Sequence, residues 1–384
     1  MDKSLSICIA MRIVYVCRSL AVWGGIERIL VDKMNHLVAE YGCEVTLLTT
    51  DQGEHPVPYH LDSAVRHEDL AICFHQQYRY HGLRRQLVSR RMKKQFEHSL
   101  SERLQTIHPD VIVCTTANPV DIDCIGRCKG NVPMVVESHS ICSRTLGHGR
   151  SWLARKWNRR QYLSALAKTD VLVALSEGDA ADWRQVHPHV EVIPNMVSLN
   201  VGACSSLTQK RVVFVGRLDY QKRPLEALRI WQEVWPKHPD WQLDIYGEGE
   251  QQQVLEAVAG ALNMNIHVHR PTSAIFDCYR DSSILMSTSL FEPFGLVIPE
   301  AMSCGVPVVA YDCPFGPSSM IADGENGFLV KLNDVASFSD RLSRLMTDIE
   351  LRRRMGKKSI ESSRRFSAAQ VMPRWIQLFR NFCK

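Results

Sequence analysis

Short runs rich in Val and Ile alternate along this chain with longer stretches in which apolar residues recur at helical spacing. That alternation predicts parallel sheets whose strands are joined by crossover helices. In the first half, strands are expected at Arg12–Cys17, Glu44–Thr49, Val111–Thr115, Met134–Glu137, Val171–Ala174 and Glu191–Ile193, with helices over Arg28–Glu40 and Leu83–Leu100. The second half restarts the pattern. Strands are expected at Arg211–Val215, Gln242–Tyr246, Ile266–His269, Ile284–Ser287 and Val306–Ala310, with helices over Pro224–Trp235, Gln251–Leu262 and Ser337–Ile349. Between the halves, Ser198–Lys210 is polar and has no period. The expected fold class is α/β: two doubly wound Rossmann-like domains, residues 1–198 and 199–367. A last helix over Ala368–Phe382, within residues 368–384, is expected to cross back onto the first domain.

Composition narrows this picture. A chain of 384 residues suits two such domains, and 45% hydrophobic with 23% charged residues is ordinary globular usage, which excludes disorder. The 13 cysteines are scattered through apolar runs, and no pair has zinc-type spacing. Cys124 and Cys128 are simply one helical turn apart. Buried reduced thiols and a reducing, cytoplasmic setting are the expectation. No apolar run approaches the ~20 residues that span a bilayer. Leu5–Ala10 is too short for a signal sequence and leads straight into the first strand, so Met11 is expected to be the natural start.

The richest chemistry lies in Phe291-Glu292-Pro293-Phe294-Gly295-Leu296-Val297-Ile298-Pro299-Glu300, closed by Gly305. A strand ending at Ser287 should feed a turn and then a helix of about nine residues, with Gly305 at its end. Pro299 fits only in the first helical turn. The amides of Phe294, Gly295 and Leu296 would then face outward and suit a phosphate, which Gly295 lets approach closely. Glu292 and Glu300 flank the site, and carboxylates accept hydrogen bonds from sugar and ribose hydroxyls. Arg217 and Lys222 follow a buried strand on the side of a doubly wound sheet where ligands bind. Two fixed cations there could neutralise a departing diphosphate without a metal. Gly24-Gly25 follows the first strand and opens a helix, a position from which it could touch sugar or phosphate. Asp121-Ile122-Asp123 has the Asp-x-Asp spacing of a metal motif. It falls in a helix start behind Pro119, where side chains two apart diverge, so it is read as helix-start charge. No metal and no cofactor are expected.

The segment from Glu292 to Glu300 resembles the glutamate–seven residues–glutamate motif of retaining glycosyltransferases of family 4, which have the GT-B fold. Val215-Gly216-Arg217-Leu218-Asp219-Tyr220-Gln221-Lys222 is similar to the family's pyrophosphate-binding segment, and Tyr246-Gly247-Glu248-Gly249 to its Gly-x-Gly turn. Asp312–Pro317 and Asp323–Val330 resemble the tail of the donor domain, Gly24–Arg28 the glycine loop, and Ile193-Pro194-Asn195 the domain-closing segment. The resemblance implies two domains facing a cleft and retaining transfer from a nucleotide diphosphate sugar. It assigns pyrophosphate to Arg217 and Lys222, the donor sugar to Glu292, ribose to Glu300, and an orienting contact on the transferred sugar to His139. Two positions depart from the family pattern. Gly316-Pro317-Ser318-Ser319 lacks the usual glutamate, and Arg270 stands where a glycine normally follows the strand near the base pocket. A uridine diphosphate donor is favoured.

Net charge is only +5, yet the cations cluster. Leu83–Phe96 holds six Lys or Arg and no acid. Ser138–Thr169 holds seven and no acid, with Trp152 and Trp157 among them. Leu83, Leu87, Val88, Met92, Phe96 and Leu100 recur at helical spacing. An amphipathic helix with a solvated basic face explains this. So does peripheral docking on an anionic membrane, with a glycan acceptor carried on lipid, as in surface polysaccharide or lipopolysaccharide assembly. An epimerase or phosphorylase on the same fold is the chief rival. A nucleic-acid binder is disfavoured by the near-neutral balance and by the lack of a known module. An NAD-dependent oxidoreductase is disfavoured because Gly24-Gly25 is not its glycine fingerprint.

Overall fold

The structure, a computed structural model, describes residues 10–115, 118–149, 151–200 and 202–382. The run before Ala10, and with it the expectation about the natural start, lies outside the described residues, as do Arg150 and residues 383–384. The chain divides into two compact units. The amino-terminal unit runs to Ala174, resumes over Ala180–Met196, and takes in the chain from Met372. The second unit is Leu175–Asp179 with Val197–Val371.

In the amino-terminal unit the order is β1 (Arg12–Cys17), α1 (Gly25–Ala39), β2 (Glu44–Thr49), β3 (Arg66–Asp69), α2 (Gly82–Ile107), β4 (Val111–Thr115) and α3 (Pro119–Cys128). It continues with β5 (Met134–Glu137), α4 (Cys142–Gly147), α5 (Trp152–Leu166), β6 (Val171–Ala174), α6 (Glu177–Trp183, whose first residues belong to the second unit) and β7 (Val190–Val192). The seven strands are all parallel, in the order β3-β2-β1-β4-β5-β6-β7. Ile13–Val16, Val111–Cys114 and Met134–Val136 are buried, as strands covered by helices on both faces must be.

The second unit holds β8 (Arg211–Val215), α7 (Pro224–Val234), β9 (Gln242–Tyr246), α8 (Gln252–Leu262), β10 (Ile266–His269), α9 (Ile275–Arg280) and β11 (Ile284–Ser287). Then come α10 (Val297–Ser303), β12 (Val308–Asp312), β13 (Gly327–Lys331), α11 (Val335–Thr347), α12 (Ile349–Ser363) and α13 (Ala368–Phe382). From Met372 onward α13 belongs to the amino-terminal unit. The six strands are parallel in the order β10-β9-β8-β11-β12-β13. The chain winds outward from β8 in one direction to β10, then restarts beside β8 with β11. The strand order therefore reverses between β8 and β11, the place where doubly wound sheets bind ligands at their carboxyl edge.

Four differences from the sequence expectations have simple causes. Strand β3 reads Arg-His-Glu-Asp on a sheet edge, so no apolar run announces it. Strand β12 begins at Val308 and not at Val306, because Pro307 has no amide hydrogen for the ladder. Helix α2 runs on to Ile107, and its first turns do not pack. Leu83 and Leu87 are exposed, while Phe96, Leu100 and Leu104 are buried. Helix α10 has seven residues and starts at Val297, later and shorter than expected.

Candidate active site

Lys222 and Glu292 meet at the strand-order reversal of the second unit. Lys222 lies in the loop after β8. Asp219 Oδ1 accepts hydrogen bonds from the amides of Gln221 and Lys222, both at 3.0 Å, and bends that loop back on itself. Glu292 lies in the loop after β11. Its backbone is clasped by the segment after β12: its amide donates to the Pro314 carbonyl at 2.7 Å, and its carbonyl accepts from Phe315 at 2.9 Å and Gly316 at 2.7 Å. A side chain at Gly316 would collide with the Phe294 carbonyl, so only glycine fits.

The side chains complete the arrangement. The Lys222 ammonium is ion-paired with Glu292 Oε2, and Ser289 Oγ donates to the same oxygen at 3.2 Å. Both charged side chains are largely buried, at 14% and 8% exposure. Arg217 is different. Its guanidinium is 67% exposed and bonds Asp219 Oδ2 at 3.1 Å and Gln221 Oε1 at 2.9 Å. The Gln221 amide nitrogen also donates to the Phe291 carbonyl at 3.2 Å. Gln221 therefore links Arg217 to the residue before Glu292.

Glu300 is 4% exposed, inside α10, and its Oε2 accepts from the Tyr279 hydroxyl at 3.1 Å. Phe294 is buried, and Gly295 adopts the left-handed conformation (φ +92°) that turns the chain into α10. No hydrogen bond among the described residues uses the amides of Phe294, Gly295 or Leu296 as donor. The sequence expectation of a helix tip at Phe294 is corrected here. The Ile298 amide bonds the Gly295 carbonyl at 3.0 Å, the helix proper starts at Val297, and seven residues carry a small dipole.

Gly247 sits in the loop after β9, where any side chain would strike the Gly216 carbonyl. Its absence of a Cβ lets the two loops pack. Arg270 is exposed at the end of β10 and bonds Gln252 Oε1 at 3.2 Å. Beside it His269 stacks on Tyr246, ring centroids 4.5 Å apart, and its Nε2 lies 2.8 Å from Asp244 Oδ1.

In the amino-terminal unit, Gly24 caps α1 and Gly25 opens it. A Cβ on Gly24 would clash with the Glu27 carboxylate, and the Tyr59 hydroxyl bonds the Gly24 carbonyl at 3.1 Å. His139 follows β5, with Nε2 3.3 Å from Glu137 Oε2. Glu137 in turn pairs with Lys33 of α1. Asp121 and Asp123 do not converge. Asp121 takes a bidentate bond from Arg18 (2.8 and 3.1 Å), and Asp123 pairs with Arg127 and Lys168. Helix α3 is capped by Asn118, whose side chain accepts from the Val120 amide at 2.9 Å. Among the described residues no group of three or more His, Cys, Asp or Glu could hold a metal. The cysteines among them form no disulfide. Burial pushes the Cys124 thiol up to about 12, assisted by Glu97.

Sequence reasoning missed Asp219, Gln221, Ser289, Tyr279, Gly316, Glu137 and Lys33. Glu137 and Lys33 did leave a signal, since a charged residue inside an apolar strand or on the packed face of a helix needs a partner. Of the other five, Asp219 and Ser289 bond residues two or three positions away in ordinary loops, while Gln221, Tyr279 of α9 and Gly316 have partners at least 20 residues away.

Two family descriptions match the chain, "Glycosyltransferase Family 4" over residues 23–201 and "Glycosyl transferases group 1" over residues 205–362. An exopolysaccharide phosphotransferase of Streptomyces coelicolor is 29% identical over 93% of this chain, which spans only 39% of that protein. The Campylobacter jejuni GalNAc-alpha-(1->4)-GalNAc-alpha-(1->3)-diNAcBac-PP-undecaprenol alpha-1,4-N-acetyl-D-galactosaminyltransferase is 23% identical over 92% of this chain and 94% of its own length. The chain thus spans well under two thirds of the first of these relatives and nearly all of the second. A crystal structure of an S. aureus TarM variant, in complex with fondaparinux, alpha-GlcNAc-glycerol and UDP, superposes with a TM-score of 0.76. It is 15% identical and covers 96% of this chain and 99% of its own, a likeness of fold, which is GT-B.

Proposed function

Because the chain belongs to glycosyltransferase family 4, we propose that it transfers a hexosyl or N-acetylhexosaminyl group from a nucleotide diphosphate sugar to a glycan during surface polysaccharide or lipopolysaccharide assembly. The observation that carries this reading is the Lys222–Glu292 ion pair at the strand-order reversal of the second unit, with Arg217 exposed beside it. A diphosphate arriving there draws Lys222 and Arg217 to its oxygens and leaves Glu292 as an acceptor for sugar hydroxyls. Glu300 and the free amides near Gly295 lie one loop further on and suit ribose and phosphate. The bond from the anomeric carbon to the diphosphate oxygen breaks as the acceptor oxygen bonds that carbon. The acceptor's proton passes to the departing diphosphate. Cations preorganised at the leaving group can supply several kcal/mol of such stabilisation. Configuration is retained, no metal is required, and His139 orients the sugar. UDP is the favoured nucleotide, supported by its presence in the TarM complex.

A lipid-linked acceptor and peripheral docking on the inner face of an anionic membrane complete the proposal. Their support is α5, which exposes Trp152 (64%), Leu153 (69%) and Trp157 (65%) beside Arg155, Lys156, Arg159 and Arg160. Tryptophan and cations together suit a lipid interface, each near-surface cation contributing about 1 kcal/mol. No helix among the described residues is long and apolar enough to cross a membrane.

The test is incubation with a panel of radiolabelled UDP-sugars and a bacterial lipid extract, with and without chelator. Label should pass to lipid and UDP should appear only when the extract is present. UDP release without an acceptor, or an epimerised nucleotide sugar, would replace this reading. Indifference to acidic vesicles at low salt would remove the membrane component.

A further inference from the structure

The amino-terminal unit buries a second ion pair that the transfer reaction as described does not use. Lys33, on α1, is 2% exposed and pairs with Oε1 of Glu137, the last residue of β5, which is also 2% exposed. The Trp375 ring of α13 covers the ammonium at 3.9 Å from its centroid, and the Tyr15 ring of β1 lies at 5.6 Å. The other Glu137 oxygen lies 3.3 Å from His139 Nε2, an ion-pair approach, and that buried ring nitrogen has no hydrogen-bond partner in this geometry. The His139 loop is itself braced: the Ser138 amide donates to the Val173 carbonyl at 2.9 Å, and Ser138 Oγ to the Ser140 carbonyl at 2.7 Å.

Replacing a desolvated ion pair with well-packed apolar side chains is often neutral or stabilising. The pair therefore calls for a reason other than stability. Burial pushes the Lys33 ammonium below its ordinary range despite Glu137. Burial alone would push the Glu137 carboxyl up; Lys33 and His139 outweigh it and hold it below its ordinary value. The other titratable groups facing the carboxylate, Tyr15 on β1 and Cys114 on β4, are raised by burial first and by Glu137 second or later, and carry no charge to compete.

We infer that Lys33 and Glu137 are positioning residues for His139: Lys33 keeps the buried Glu137 carboxylate ionised, and that carboxylate holds the imidazole in one orientation with its proton on Nε2. The ring nitrogen that carries the proton is set by what the other groups around the ring accept, and a carboxylate accepts only. His139 Nδ1 is thereby kept as an acceptor for a sugar hydroxyl. This inference rests on the reading of His139 as the residue that orients the transferred sugar.

The experiment is ring-nitrogen NMR on the 15N-labelled full chain, with His139 assigned by the loss of its signals in His139→Gln. The wild-type imidazole is expected as the Nε2–H tautomer, and Glu137→Gln is expected to give a mixture. Lys33→Met by itself leaves the buried Glu137 carboxylate without its cation. The double variant Lys33→Met/Glu137→Gln removes both charges, should fold, and should still show the mixed tautomer. An Nδ1–H wild type, or an unchanged tautomer in Glu137→Gln and in the double variant, overturns the inference. The second arm measures UDP release with the donor and lipid extract that support transfer. Glu137→Gln should lower kcat at least ~10-fold with little change in donor KM, as expected when a proton-bearing group is misaligned. If the tautomer shifts but His139→Gln retains full turnover, the role given to His139 fails and the Glu137–His139 arrangement stands.

Discussion

Two lysine–glutamate pairs, one in each unit, use the same chemistry in opposite settings. Lys222 and Glu292 come from loops at a carboxyl sheet edge and keep 14% and 8% of their side chains in solvent, with a serine hydroxyl and an exposed arginine alongside. Lys33 and Glu137 come from a helix and an interior strand and keep only 2% and 3% of their side chains in solvent, with the lysine ammonium under a tryptophan ring. An ion pair at a loop edge can exchange partners, because an incoming anion and water replace what each side loses. A sealed pair cannot, because separating it leaves a bare charge in apolar surroundings. On the function proposed above, reactivity belongs to the first pair and fixed geometry to the second.

The comparison can be broken most directly at Glu292. Glu292→Ala should reduce transfer roughly a hundredfold or more, measured as kcat, with a smaller loss of stability than Lys33→Met causes, because water reaches Lys222. A large loss of stability with normal turnover would make this pair structural too. Next comes Lys33→Met, which leaves a buried carboxylate without its partner and should destabilise the amino-terminal unit by about 3–5 kcal/mol in urea unfolding; the double variant with Glu137→Gln should recover most of it. Gly316→Ala should cost about 1–3 kcal/mol and lower turnover, because the new methyl group meets the Phe294 carbonyl and pushes the clasp off Glu292. The smallest effect is on pH dependence. The Glu137 carboxyl is held below its ordinary value of 4.5, so between its native value and that value the unfolded chain binds the extra proton. Its contribution is complete above about pH 4.5 and is lost as pH falls through the native value. Acid unfolding of Glu137→Gln should therefore have a shallower slope than wild type below pH 4.5, and equal slopes would contradict the assigned direction.

Much of this was legible in the sequence, and unevenly so. Strands such as Arg211–Val215 and Ile284–Ser287 announce themselves because both faces are buried and nearly every residue is apolar. Edge strand β3 does not, since half its environment is water. The Glu292–Glu300 spacing and Gly305 point to a turn and helix stop, and Gly305 does take a left-handed conformation, φ +76°. The start of that helix is not legible in the sequence. Pro299 allows a start anywhere in the preceding turn, and the conformation of Gly295 decides it. Leu83 and Leu87 have the spacing of a packed face but are 78% and 64% exposed. Periodicity registers amphipathicity, whether the apolar side meets a core or an interface. Partners such as Gly316 for Glu292 or Trp375 for Lys33 were beyond reach, because contacts spanning that many residues leave no local pattern.

Trp375 lies on the stretch of α13 that belongs to the amino-terminal unit, so the fold of the first residues depends on some of the last. During synthesis, the lysine on α1 waits uncovered until residues 372–382 have left the ribosome. Neither unit corresponds to one continuous stretch of gene. A fragment ending at Met196 would lack this cover, whereas a version joining residues 372–382 to it through a short linker would restore it.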